Sequence, residues 1–220
     1  MNAIAERLQE IKNKLGTKTR LIVVSKYRSI SEIEAVYAAG QREFAENRVQ
    51  AMLERYEALP KDIAWHLIGH LQTNKVKYVV PFVKLIHSAD SFKLLQEINK
   101  QAAKINKVQD LLLQVFVAQE ETKFGMEPPE IRSLVQDADF MQLENICICG
   151  LMAMASNTSN KEQIKKEFTA VSDLFQELKS GFMKHNAAFT ELSLGMSSDY
   201  AIAIDCGSTM VRVGSSVFEG

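Results

Sequence analysis

The 220-residue chain carries almost no net charge: 26 basic residues face 27 acidic ones, leaving −1. That balance provides no field to steer the chain to nucleic acid or an anionic membrane, so neither is an expected partner. No apolar run is long enough to span a bilayer. The N-terminus, MNAIAERLQEIKNKLG, mixes acidic residues among its apolar ones and so lacks the core of a signal peptide. Cysteine is scarce and odd in number at three, which argues against a disulfide framework. Cys147 and Cys149 share a face if ICIC is a strand, but a metal site needs further ligands and the sequence declares none. All three read as small apolar residues in a reducing cytoplasm, and no metal is assigned. Nor is there a Pro/Gly/Ser-rich linker, so residues 1–220 are expected to form one domain, and nothing demands more than a monomer.

What the chain does have is regular alternation. Ile4, Leu8, Ile11 and Leu15 follow helical spacing, with Gly16 as a stop. Eight apolar runs then read as strands: LIVVSK (21–26), EFAE (43–46), AWHLIG (64–69), KLIHS (84–88), LLLQVFV (111–117), ICICGLMA (146–153), TELSLG (190–195) and TMVRVG (209–214). Helical patterns separate them. In the clearest, at 161–179, Ile164, Phe168, Val171, Phe175 and Leu178 form one stripe. Eight strand–helix repeats favour a closed (β/α)8 TIM barrel over an open doubly wound sheet. The turn after the first strand, Lys26-Tyr27-Arg28, has none of the glycines of a dinucleotide-binding turn. Six residues follow the last strand, so no eighth helix is expected, and the N-terminal helix is expected to cover that gap in the outer ring.

Active sites of such barrels lie at the carboxyl ends of the strands. Strand seven exits through LGMSSDY, where Ser197 could cap a helix starting near Ser198, and strand eight exits through RVGSS. Small, hydroxylated loops after strands seven and eight suit a phosphate, although glycine and serine are common in any turn. Alternation sets Ile22, Val24 and Lys26 on one face and Ser208, Met210 and Arg212 on another. Strands one and eight become neighbours when a barrel closes, so Lys26 and Arg212 can point to one mouth. A nearby guanidinium and partial burial would both favour a neutral, nucleophilic amine. Judged on strand one alone, Lys26 is a snorkelling end-of-strand lysine; beside a phosphate site it becomes a Schiff-base candidate. His66 and His70 are four apart in WHLIGH, but the segment reads as strand and lacks the glutamate of a zinc helix. His66 is expected to be hydrogen-bonded in or near the barrel, and His87 to be a pocket wall or a satisfied core group.

Several runs together resemble one family. VSK (24–26), ENRVQ (46–50), WHLIGHLQTNK (65–75), IHSADS (86–91), TKFG (122–125), GLMAM (150–154), LSLGMSSDY (192–200) and GSTMVRVGSSVF (207–218) are similar to the pyridoxal 5′-phosphate (PLP) homeostasis proteins. The resemblance implies a single-domain barrel like the N-terminal barrel of alanine racemase, with PLP as cofactor. It implies Lys26 as the Schiff-base lysine, Ser197, Gly214 and Ser215 as phosphate contacts, and Arg212 as partner of the pyridine nitrogen. Asn47 and Met152 are implied beside the ring. Lys123 matches a second family lysine, a candidate for transient cofactor contact, with a solvated loop lysine as the plain alternative. Ala45 stands where the family usually has glycine, and Ser215 where threonine is commoner. The C-terminus is shorter than in many members, which would leave the last turn of the barrel less covered.

An arginine beside the pyridine nitrogen keeps that nitrogen unprotonated and weakens the ring as an electron sink. Racemases with this arrangement add acid and base groups from a second domain and subunit, which this sequence does not continue into. The expectation is therefore a cytoplasmic protein that holds PLP and passes it on, with PLP-dependent apo-enzymes as partners and no turnover of its own. A minimal PLP-dependent racemase is the alternative, and a cofactor-free aldolase-type Schiff-base barrel is a third reading.

Overall fold

The strands are parallel and buried on both sides, which is why they read as nearly unbroken apolar runs. In the computed structural model, which describes residues 3–118 and 124–219, eight strands close in sequence order into a barrel. They are β1 (Arg20–Val24), β2 (Glu43–Glu46), β3 (Ala64–Leu67), β4 (Leu85–Ala89), β5 (Gln109–Val115), β6 (Ile146–Ala153), β7 (Glu191–Ser193) and β8 (Met210–Val213). β1 and β8 pair in parallel with Ile22 opposite Arg212, so the expected closure holds.

Helices α1 (Ala3–Leu15), α2 (Ile30–Ala38), α3 (Val49–Ala58), α4 (Val76–Val79) and α5 (Phe92–Ala103) precede β5. After it come α6 (Pro128–Leu134), α7 (Ala138–Met141), α8 (Lys161–Ser180), α9 (Tyr200–Asp205) and α10 (Ser215–Phe218). The α8 stripe is buried as its spacing requires. Glu167 joins that face because its carboxylate accepts from the Ser156 N–H and hydroxyl, both at 2.7 Å, and ties down the loop after β6. Alternate strand residues divide the apolar core. Val23, Phe44, Trp65 and Leu113 face the helices, while Ile22, Val24, Ala45, Leu112, Met152 and Met210 fill the barrel.

A short eighth helix does follow β8, contrary to the sequence expectation. Four residues suffice because α1 docks on α10: Arg7 donates from Nε to Val217 O at 2.9 Å and from Nη2 to Phe218 O at 3.0 Å. Arg28 adds a second clasp, its guanidinium 5.0 Å from the Phe218 ring centre and paired with Glu219. The end of the barrel is thus covered, and a longer helix is not needed for it.

β6 carries the main irregularity. Its register with β5 slips between Ile148 and Gly150, where Leu111 and Leu112 are consecutive on the partner strand. The extra residue resets the alternation, so Cys149 and Met152, three apart, both face the interior while Ile148 and Leu151 face the helices. Gly150 is required there, since a Cβ would overlap the Glu191 carbonyl of β7. Gly150→Ala is expected to destabilise the fold by about 3 kcal/mol or more, because backbone on a neighbouring strand cannot yield like a flexible side chain. Urea denaturation measures this, and a loss below about 1 kcal/mol would contradict the bulge as described.

Candidate functional site

Lys26 is not on the strand. β1 ends at Val24, and Ser25 is spent on β2: its N–H reaches Ala45 O at 3.0 Å, and its hydroxyl donates to Glu46 Oε1 at 2.6 Å. The chain then reverses in a β-turn closed by the Arg28 N–H on Ser25 O at 3.1 Å. Tyr27 takes φ +65° in that turn, a left-handed conformation that costs a non-glycine residue about 1 kcal/mol. The turn leaves Lys26 exposed at the rim, so the burial expected to neutralise its amine is absent.

The rim belongs to a cavity of about 630 Å³ at the carboxyl ends of the strands. Lys26, Asn47, Ser197, Arg212, Gly214 and Ser215 all line it, gathering six of the sequence candidates from four strand exits. Met152 does not line it. The β6 bulge turns Met152 into the fully buried interior cluster that includes Val24, and Met154, 41% exposed, is the methionine on the wall. Lys123 lies outside the described residues. Gly69, also on the wall, lets the β3 exit press on Asn47, because a Cβ there would overlap the Asn47 carbonyl.

One side of the cavity is built for an anion. The Gly214 N–H donates to Ser197 Oγ at 3.2 Å, joining the two loops after β7 and β8. The N–H groups of Ser197, Ser198, Ser215 and Ser216 find no acceptor among the described residues. Ser197 does not cap α9 as expected. Asp199 holds the N-cap position, and its carboxylate turns back to accept the Met196 N–H at 2.6 Å. Burial raises the Asp199 pKa against the pull of that hydrogen bond and of Arg212.

The other side is Arg212, only 3% exposed. Nη1 donates to Ser193 O and Ser193 Oγ, both at 2.7 Å, and Nη2 donates to Ala153 O at 2.9 Å. Nε–H has no protein acceptor among the described residues. Burial lowers the Arg212 pKa to about 10, so the guanidinium is still charged at neutral pH.

Behind Arg212 a chain of hydrogen bonds crosses the barrel interior. Ser193 Oγ lies 3.0 Å from His87 Nδ1, and His87 Nε2 lies 2.9 Å from His66 Nδ1. Ser193 Oγ accepts from Arg212 and has its one proton available to donate to His87 Nδ1. His87 then donates from Nε2 to His66, whose Nε2–H faces Glu43 Oε1 at 3.6 Å, too long for a hydrogen bond. In this arrangement both rings are neutral, His87 has a partner at each nitrogen, and the His66 Nε2–H is left without one. Burial lowers the His66 pKa, and burial, His66 and Arg212 together hold His87 well below the ordinary histidine range. His66 and His87 are therefore hydrogen-bonded core groups, as expected, and His70 sits apart with Asp90 Oδ2 at 2.8 Å. Nothing in the sequence marks Ser193 and Asp199 beyond their place next to the LGMSS exit.

The closed (β/α)8 barrel and its strand-end cavity define a small-molecule-binding barrel. The alanine racemase N-terminal domain family matches residues 1–220. A pyridoxal phosphate homeostasis protein of Aquifex aeolicus is 39% identical over 99% of this chain and 95% of its own length. PipY of Synechococcus elongatus, solved without PLP, superposes with a TM-score of 0.90 at 34% identity, covering 98% of this chain and 99% of its own. The same protein solved with PLP bound gives 0.85. An alanine racemase of Clostridium difficile, 15% identical, matches 99% of this chain over 59% of its own with a TM-score of 0.75, a likeness of fold alone. The chain belongs to the alanine racemase N-terminal domain family and, within it, to the pyridoxal phosphate homeostasis proteins.

The buried histidines make stability depend on pH. Below about pH 6.5 the unfolded chain takes up protons that the folded rings refuse, so stability falls on acidification by up to about 1.4 kcal/mol per pH unit for each ring. His87→Gln should be less stable than the parent at pH 7.5 yet lose less between pH 6.5 and 5.5 in urea melts. Parallel losses in the two proteins would contradict a neutral His87.

Proposed function

We propose that this chain binds pyridoxal 5′-phosphate at the barrel mouth and holds it for transfer, without catalytic turnover of its own. The observation that carries this reading is the convergence of an accessible lysine, an anion cradle and an arginine donor on one cavity. The residues fit the group at both ends. Unpaired N–H groups of Ser197, Ser198, Ser215 and Ser216, with the Ser197 and Ser215 hydroxyls, suit a phosphate. The unused Nε–H of Arg212 suits a ring nitrogen that accepts a hydrogen bond. Lys26 is the amine for the aldehyde, and Asn47 lies beside the ring.

When bound, the group supplies an aldehyde and a conjugated ring that can withdraw electrons. This chain's residues temper that capacity. A guanidinium fixed by three hydrogen bonds cannot hand over a proton cheaply, so it keeps the ring nitrogen an acceptor. The exposed Lys26 turn leaves the amine open to water and incoming amines, as release requires. The name the relatives carry supports a holding role; the racemases share the fold. We place the protein in the cytoplasm as a monomer that supplies PLP-dependent apo-enzymes.

Adding PLP to the purified protein should produce a visible absorbance band that Lys26→Ala loses almost entirely. A variant that develops the same band would remove Lys26 from the site. In deuterated water, loaded protein should exchange the α-hydrogen of alanine no faster than free PLP does. Sustained exchange well above that rate would favour the racemase alternative.

A further inference from the structure

The opposite end of the barrel holds a second constellation. Register places Asp110, the second residue of β5, directly opposite Cys147, the second residue of β6. The slip in β6 begins one pair later, so Cys149 points inward above Cys147. The two Sγ atoms are 4.0 Å apart, and the two sulfurs and an Asp110 carboxylate oxygen all lie within 4.8 Å of one another. The sequence offers two cysteines and no third ligand nearby; the sheet supplies it from the neighbouring strand β5, 37 residues earlier in the chain.

We propose that Asp110, Cys147 and Cys149 form a binding site for one thiophilic divalent cation of the zinc class. Zinc–sulfur bonds of about 2.3 Å in a tetrahedron set two sulfurs about 3.8 Å apart, so the pair needs almost no movement to chelate. Two soft sulfurs and one carboxylate select zinc or its soft neighbours and disfavour magnesium and calcium, which take oxygen. Three protein ligands leave a fourth position. It faces solvent, because Cys149 is buried whereas Cys147 is half-buried and the Asp110 side chain is 36% exposed. Without a cation these groups oppose one another: burial, Asp110 and Cys147 all raise the pKa of the Cys149 thiol. Lys84 Nζ, 3.6 Å from Asp110 Oδ2, is the competing cation, and its side chain is 61% exposed and free to swing away. Binding balances simply: each thiol releases one proton, and the dication takes their place against two thiolates and a carboxylate. A disulfide fits less well. Residues two apart on a strand have Cα atoms about 6.6 Å apart, at the limit of disulfide geometry.

The site lies at the strand starts and the PLP cavity at their exits, so each can fail without the other. The test is cobalt titration of the metal-free full chain under anaerobic, reducing conditions. A near-ultraviolet thiolate-to-cobalt charge-transfer band should saturate at one cobalt per chain, and equimolar zinc should abolish it. Cys147→Ser should remove the band, Asp110→Asn should weaken cobalt binding by at least about tenfold, and Cys206→Ser should change neither. Asp110→Asn changes no core packing, so it keeps the test open if Cys147→Ser folds poorly, with circular dichroism as the check on folding. No saturable band, equal binding by Asp110→Asn, or a band that follows Cys206 would overturn the proposal.

Discussion

A charged guanidinium with almost no access to solvent needs its donors satisfied, and Arg212 does this with atoms from two neighbouring strand ends. Ser193 on β7 and Ala153 at the end of β6 take both Nη groups. An unpaired charge in that position would cost several kcal/mol, so the ends of three strands are locked in one arrangement. Much else follows from the lock. Ser193 can orient His87 only because Arg212 fixes the direction of its hydroxyl, and His87 in turn orients His66. Ala153 can present its carbonyl only because the β6 bulge resets the strand before it arrives. Three of the five N–H bonds of Arg212 are used in this way, and the Nε–H is among those left over on a cavity-lining residue.

The cavity separates its tasks by stiffness. Arg212 and its partners are rigid and buried, while the anion cradle sits on short loops joined by the Gly214–Ser197 hydrogen bond. Lys26 stands on an exposed turn with a left-handed tyrosine next to it. A rigid recognition wall and an accessible amine suit retention with exchange better than a sealed reaction chamber, in which water is excluded to strengthen electrostatics.

Much of this was legible in the sequence because the signals were local. EFAE and ICICGLMA match their strands residue for residue, and the α8 stripe is buried where its period put it. Alternation through Ser25 and Lys26 carries β1 two residues too far; what ends the strand is the commitment of Ser25 to Ala45 and Glu46, some twenty residues away. The motif implies Met152 beside the ring; after the slip at Gly150 it and Met154 share the inward face, Met152 buried within the barrel and Met154 on the cavity wall. A glycine inside an apolar strand was the available hint. Ser193, His87 and Asp110 acquire their meaning only from cross-strand partners, which no period within one segment can reveal.

The central claim is that the amine at the tip of the β1 turn is where the cofactor is attached. Borohydride reduction of the PLP-loaded protein followed by peptide mapping tests it most directly. The account predicts a stable phosphopyridoxyl adduct on the peptide containing Lys26, at one per chain. An adduct concentrated on another lysine, or spread evenly over surface lysines, would contradict it.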